Sequence, residues 1–222
     1  MDVEQPFETI LSTPVEIPLP RWQYVFAKLI SSVFSPPLIV TLGLLFVGQQ
    51  IGAEGVNWAL FQIGFGILLP VIYIVYEVQQ GNITDFHMKV REQRIRPLIL
   101  ALVLSGVSWT VMKILNAPTA LMIFSGVAIL QAVFMLLVTF KWKISGHSMT
   151  VAGMAVFLFG IFGIHAWPLL LTIPLVAWSR VRLSRHDRWQ TLAGTLAGIA
   201  FTLMGLYFYF QTCGGMGLIC TK

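Results

Sequence analysis

The chain has 222 residues and a formal net charge of +5, and it is 57% hydrophobic but only 10% charged. With a mean hydropathy of +0.82, it is too apolar for a soluble domain of this length and belongs in a bilayer. Membrane lipids are its expected surroundings, and no nucleic-acid partner is expected.

Residues 1–22 hold four prolines among alternating acidic and apolar residues. They show no usable period and read as a surface segment. Asp2, Glu4 and Glu8 argue against a signal peptide, as does an apolar run that begins late and continues too long. The first span is then itself the insertion signal. A crossing helix needs about 20 mostly apolar residues. Leu29 to Phe46, Val56 to Tyr76, Pro118 to Phe140 and Thr191 to Thr212 qualify, and Leu98 to Leu115 is slightly short with Lys113 near its end. Ser148 to Trp178 is too long for one crossing and is interrupted by His165, Pro168 and Pro174, so it reads as two short antiparallel helices. Backbone groups in lipid must be satisfied internally, which excludes open sheets. The expected fold is an all-α polytopic transmembrane bundle of six or seven spans. A single domain covers residues 23–212, with short helices around a three-loop site on one face. A tail at 213–222 carries Cys213 and Cys220. A disulfide there is geometrically easy, and two separate thiols remain the alternative.

If the spans alternate, segments 79–97, 141–148 and 179–190 share a face with the amino terminus. That face carries Arg21, Lys89, Arg91, Arg94, Arg96, Lys141, Lys143, Arg180, Arg182, Arg185 and Arg188, while the other holds little beyond Lys113 and Lys222. The positive-inside rule makes these loops cytoplasmic. An anionic substrate would also call for cations on either side, so part of this excess is open to a functional reading. The expected location is a bacterial or archaeal cell membrane.

Ionisable groups at a membrane edge are costly and draw a functional reading first. The three loops run Asn82 to Pro97, Lys143 to Ser148 and Ser179 to Gln190, each with cations or a histidine at a helix end. Phosphate chemistry without a metal needs fixed positive charges, neutral donors, a nucleophile and an acid for the leaving oxygen. All these residue types are present, and dense Asp or Glu clusters of the kind that hold magnesium are not.

Lys89, Arg96 and Pro97 match the motif K-x6-R-P. Ser145, Gly146 and His147 match P-S-G-H, and Ser179, Arg180 and His186 match S-R-x5-H-x3-D, all in the same order. In these residues, over about positions 85 to 200, the chain resembles the phosphatidic acid phosphatase type 2 superfamily of lipid phosphatases, glucose-6-phosphatase and vanadium haloperoxidases. The resemblance implies a metal-independent hydrolase without cofactor. His186 would attack phosphorus, and His147 would serve as acid and then base. Lys89, Arg96, Arg180, Ser145 and Gly146 would hold the phosphoryl oxygens, Gly146 near a helix start where an anion is favoured. The substrate implied is a lipid or isoprenoid phosphate or diphosphate.

Two positions depart from the pattern. Ile144 stands where proline is usual, which changes loop stiffness but no chemical group. Gln190 replaces the aspartate that orients the nucleophilic histidine and stabilises its charge. Asp85 and Asp187 are the possible substitutes, with Asp85 preferred because Asp187 belongs to the histidine's own loop and would point another way. The alternative function is therefore a weak or inactive member that binds lipid or builds a membrane complex. Intramembrane prenyltransferases look for repeated magnesium-binding aspartates, and transporters for internal repeats; this sequence offers neither. Arg91, Arg94, Arg182, Arg185 and Arg188 match nothing catalytic and read as orientation signals and headgroup contacts. His165 reads as structural, and His87 has no assigned role. Trp22, Trp58, Trp109, Trp142, Trp178 and Trp189 read as interface anchors. Gly194 and Gly198, with Ala193 and Ala197, suit close helix packing against an internal partner, a second subunit or another protein of a complex.

Overall fold

The computed structural model describes residues 20–86, 88 and 90–213. Among these residues the chain is helical throughout, with no strand. Helix α1 covers Arg21–Val33 and α2 covers Pro36–Ile51, with a bend of 43° between them. The expected first span from Leu29 to Phe46 is therefore broken. The cause is local: Ser35 precedes Pro36 and adopts ψ 143°, the extended conformation that a following proline ring enforces. Trp22, Val25, Phe26, Leu29 and Val33 of α1 are exposed, whereas Ala27 and Ser31 are buried. This one-sided pattern is that of a helix lying on the bundle with its apolar residues toward lipid.

A left-handed Gly52 at φ +106° turns the chain into α3, Ala53–Ile63. A π-turn at Gly64–Leu68 and α4, Leu69–Gln79, continue it as one 27-residue run. The π-turn coincides with Pro70, which has no N–H for the Gly66 carbonyl four residues back. Helix α5 is Ile95–Ile114, entered through a 3-10 turn at Glu92–Arg94, and α6 is Thr119–Thr139. Next come α7 at Gly146–Phe162, a 3-10 turn at Gly163–Ala166, the short α8 at Trp167–Leu170 and α9 at Thr172–Arg182. The stretch from Ser148 to Trp178 is thus not two short helices: Gly146–Leu170 is a 25-residue run long enough to cross a bilayer, and only α9 is short. The 11 residues of α9 rise about 16 Å, roughly half of the ~30 Å hydrocarbon core. Helix α10, Arg188–Cys213, closes the described chain.

Among the described residues, five of these helical runs are long and apolar enough to cross a bilayer, and the bent α1–α2 pair adds a sixth if it is counted as one span. The protein is an integral membrane protein. The start of α2, the ends of α4, α6 and α9, and the starts of α5, α7 and α10 meet at one end of the bundle. Helix α1 rests on α9 there, with the Phe26 and Trp178 rings 5.9 Å apart.

The bundle is tightest where α10 crosses α7. Gly194 lies against the Ser145 backbone and Gly198 against the Met149 carbonyl. The small-residue stripe thus has a partner inside the chain, and the absence of side chains lets the two backbones touch. A Cβ at Gly198 would press on backbone, whereas one at Gly106 meets nothing within 4 Å. Gly198→Val is expected to cost about 1–3 kcal/mol and to lower the unfolding temperature in detergent, with Gly106→Ala left near the wild type. Equal melting of the two variants would contradict this packing.

Candidate active site

Four side chains from three loops face one cavity of about 330 Å³: Arg94, His147, Arg180 and His186. Each is buried, with exposures of 9%, 8%, 2% and 6%.

Arg94 ends the 3-10 turn before α5. Its Nε donates to the Met88 carbonyl at 2.9 Å and its Nη1 to the Ile144 carbonyl at 3.4 Å. It thereby ties the first loop to the second. Met88 is left-handed at φ +47°, a conformation costly for a residue with a side chain and typical of functional loops. Arg180 lies in the last turn of α9, and its Nη1 donates to Ser31 Oγ at 2.5 Å. Its Nε is buried without a partner, a charged donor waiting for an acceptor. Ser184, left-handed at φ +50°, then reverses the chain so that the Arg185 and His186 amides both donate to the Arg180 carbonyl. That turn brings His186 back beside Arg180.

His147 is the second residue of α7, whose first amides are capped by Ser145: the Ser148 amide and hydroxyl donate to Ser145 Oγ at 3.2 and 3.0 Å. The Ser145 amide donates to the Gln190 carbonyl at 3.1 Å, tying the second loop to the third. Gly146 lines the cavity, so the positive end of α7 points into it.

The Nδ1 of His186 lies 3.0 Å from Gln190 Oε1. An amide oxygen only accepts, so Nδ1 carries the proton and Nε2 keeps a free lone pair. Burial, then the charges of Arg94 and Arg180, and lastly Lys143 push the His186 pKa down to about 3, against the opposing effect of the Gln190 bond. The imidazole is neutral at ordinary pH, with Nε2 unprotonated.

The placement of the motif residues differs from the sequence expectation in three ways. Arg96 is exposed and does not line the cavity, whereas Arg94 does. The helical period explains this. Arg96 lies on the stripe of Ile99, Val103 and Val107, all exposed toward lipid, while Arg94 shares a face with Pro97, Leu98, Ala101 and Ser105 on the cavity wall. A helical wheel over Arg94 to Ser108 would have revealed it. Secondly, the Ser145 hydroxyl is fully buried as a helix cap rather than presented to the cavity. Thirdly, Asp85 Oδ2 accepts from Arg185 Nη1 at 3.1 Å, so this carboxylate closes the first loop on the third, and Gln190 itself holds the histidine. Asp187 caps α10 by accepting from the Gln190 amide at 2.8 Å. Ser31, the support of Arg180, gave no sequence signal, because it stands 149 positions away. Lys89, His87 and Cys220 lie outside the described residues, and Cys213 ends α10.

A family model for the PAP2 superfamily matches residues 60–212, well over half of the chain. The chain belongs to the PAP2 superfamily. No curated protein and no solved structure gives a match. Membership in PAP2 carries phosphatase activity on phosphate esters as the class of reaction, and the match spans all three loops.

The lowered pKa of His186 has a consequence for stability. Below its ordinary value of 6.5, an unfolded histidine takes up a proton that folded His186 refuses until the pH nears 3. Its contribution is complete above pH 6.5 and is lost as the pH falls through that window. Unfolding temperatures measured from pH 7.5 to 4.5 are expected to fall more steeply for the wild type than for His186→Gln. Parallel curves would contradict a neutral buried His186.

Proposed function

We propose that the protein is a metal-independent phosphatase acting on a lipid or isoprenoid phosphate or diphosphate through a phosphohistidine at His186. The observation that carries this reading is a neutral histidine beside two buried guanidiniums, Arg94 and Arg180, at the charged end of a largely apolar cavity. A phosphate would sit among the cations and at the start of α7, with its hydrocarbon chain along the cavity wall formed by Leu98, Ala101, Ile129 and Ala132. Such a substrate would reach the site sideways from the bilayer.

In this mechanism His186 Nε2 attacks phosphorus, forming the N–P bond as the ester P–O bond breaks. His147 gives its proton to the leaving oxygen and then takes one from water. The water oxygen displaces Nε2, releasing inorganic phosphate and restoring neutral His186. Arg94, Arg180 and the Gly146 amide hold the phosphoryl oxygens and stabilise the charge that grows on them. Lys89, from the first motif, adds a further cation, and Asp85 orders the loops through Arg185. The nucleophile gains positive charge when phosphorylated, and Gln190 orients it without compensating that charge. The excess of basic residues on this face supports a site on the cytoplasmic side.

One observation favours a second reading, a lipid-binding member without turnover: the group on His186 Nδ1 is an amide, not a carboxylate. Phosphate release in EDTA from phosphatidate, lysophosphatidate, phosphatidylglycerophosphate and prenyl diphosphates separates the two. The expected result is turnover by the wild type, abolished in His186→Ala and raised in Gln190→Glu, which keeps the side-chain length. Arg94→Ala should lose on the order of 10² in rate. Arg96→Ala should stay within about fivefold, as an exposed charge implies. Release only from Gln190→Glu would establish the binding role, and release surviving His186→Ala would refute the mechanism.

A further inference from the structure

The cavity extends well past its charged end, and its far part is not purely apolar. Ser125 on α6 lines it, is 1% exposed, and has a hydroxyl with no hydrogen-bond partner. Hydroxyls on membrane helices ordinarily bond to the carbonyl one turn back, as Thr139 does to Met135 and Thr110 to Gly106. Ser125 does not. Gln62 and Ser105 line the same cavity. Gln62 Oε1 accepts from Ser108 Oγ at 2.6 Å, and Ser105 Oγ donates toward the Gly66 carbonyl at 3.4 Å. Polar side chains from three helices thus converge at hydrocarbon depth.

Two helices give the depth of this patch independently. Met135 packs beside Gly146 at the charged end, and Ser125 lies ten residues from it along α6, a rise of about 15 Å. Ser105 lies eleven residues beyond Arg94 on the other wall, a rise of about 16 Å. A ligand oxygen reaching Ser125 would give this buried hydroxyl the hydrogen bond it otherwise lacks, a gain that a plain hydrocarbon chain cannot supply.

We propose that this patch is a second subsite, which recognises a hydroxyl or carbonyl oxygen carried on the lipid chain about 15 Å from the phosphate. Ser125 bonds that oxygen, with Gln62 and Ser105 supplying the polar surroundings. The inference rests on the reading that the phosphate sits between Arg94, Arg180 and His186. It makes the protein selective for oxygen-bearing chains over plain alkyl or isoprenoid ones.

The test is equilibrium binding of dodecyl phosphate and its ω-hydroxy derivative to the purified protein, for the wild type, Ser125→Ala and Ser125→Thr. Dividing the preference of each variant by that of the wild type removes the difference in micelle partition. The ω-hydroxy preference is expected to fall roughly fivefold in Ser125→Ala, the worth of one hydrogen bond, and to survive in Ser125→Thr. An unchanged preference in Ser125→Ala, or one lost equally in Ser125→Thr, overturns the subsite while leaving the phosphate site intact. Failure of both amphiphiles to bind overturns the phosphate site and this inference with it.

Discussion

Two guanidiniums are buried together with no ion pair among the described residues, and the rest of the site is organised around that fact. Arg94 gives its hydrogen bonds to backbone carbonyls, Arg180 gives one to a serine hydroxyl, and the Nε of Arg180 has none. Burying a cation without an anion is among the costliest arrangements in a protein. The surrounding structure has to hold it in place. The first, second and third loops are laced together by the Arg94 bonds, by Ser145 to Gln190 and by Asp85 to Arg185. The glycine contacts of α10 with α7 fix the platform underneath. In the proposed function the ligand brings the missing charge, and the site would be preorganised for that anion before it arrives.

The same field sets the state of the histidine. Burial first, and then the charges of Arg94 and Arg180, keep His186 neutral, which suits the proposed nucleophile because it needs no prior deprotonation. A carboxylate at position 190 would stabilise the cationic phosphohistidine but would also bind a proton-carrying imidazole more tightly. With Gln190 the free nucleophile is favoured and its phosphorylated form is less so. In the proposed mechanism, the balance between capture and turnover would be shifted by one atom type at one position.

The architecture was legible because membrane spans obey a length and composition rule that the 222 residues state openly. What the rule missed was the break at Ser35, where two prolines override an apolar run. The motif spacing pointed to three loops that the structure brings to one cavity, lined by His147, Arg180 and His186. It picked Arg96 because spacing along the chain carries no information about facing, and only the period of α5 turns Arg94 inward and Arg96 toward lipid. The Ser31 contact to Arg180 was invisible for a different reason: it depends on how α1 folds back over α9, a tertiary choice with no local signature.

The account stands on the buried cation pocket, and orthovanadate, a phosphate analogue, probes it without requiring turnover. Thermal unfolding of the detergent-solubilised protein, followed against vanadate concentration, should show stabilisation approaching about 2.7 kcal/mol at a hundredfold excess over Kd. Arg180→Gln should show little or none. A wild type indifferent to vanadate, or an equal response in Arg180→Gln, would contradict the claim that Arg94 and Arg180 are buried to receive a phosphoryl group.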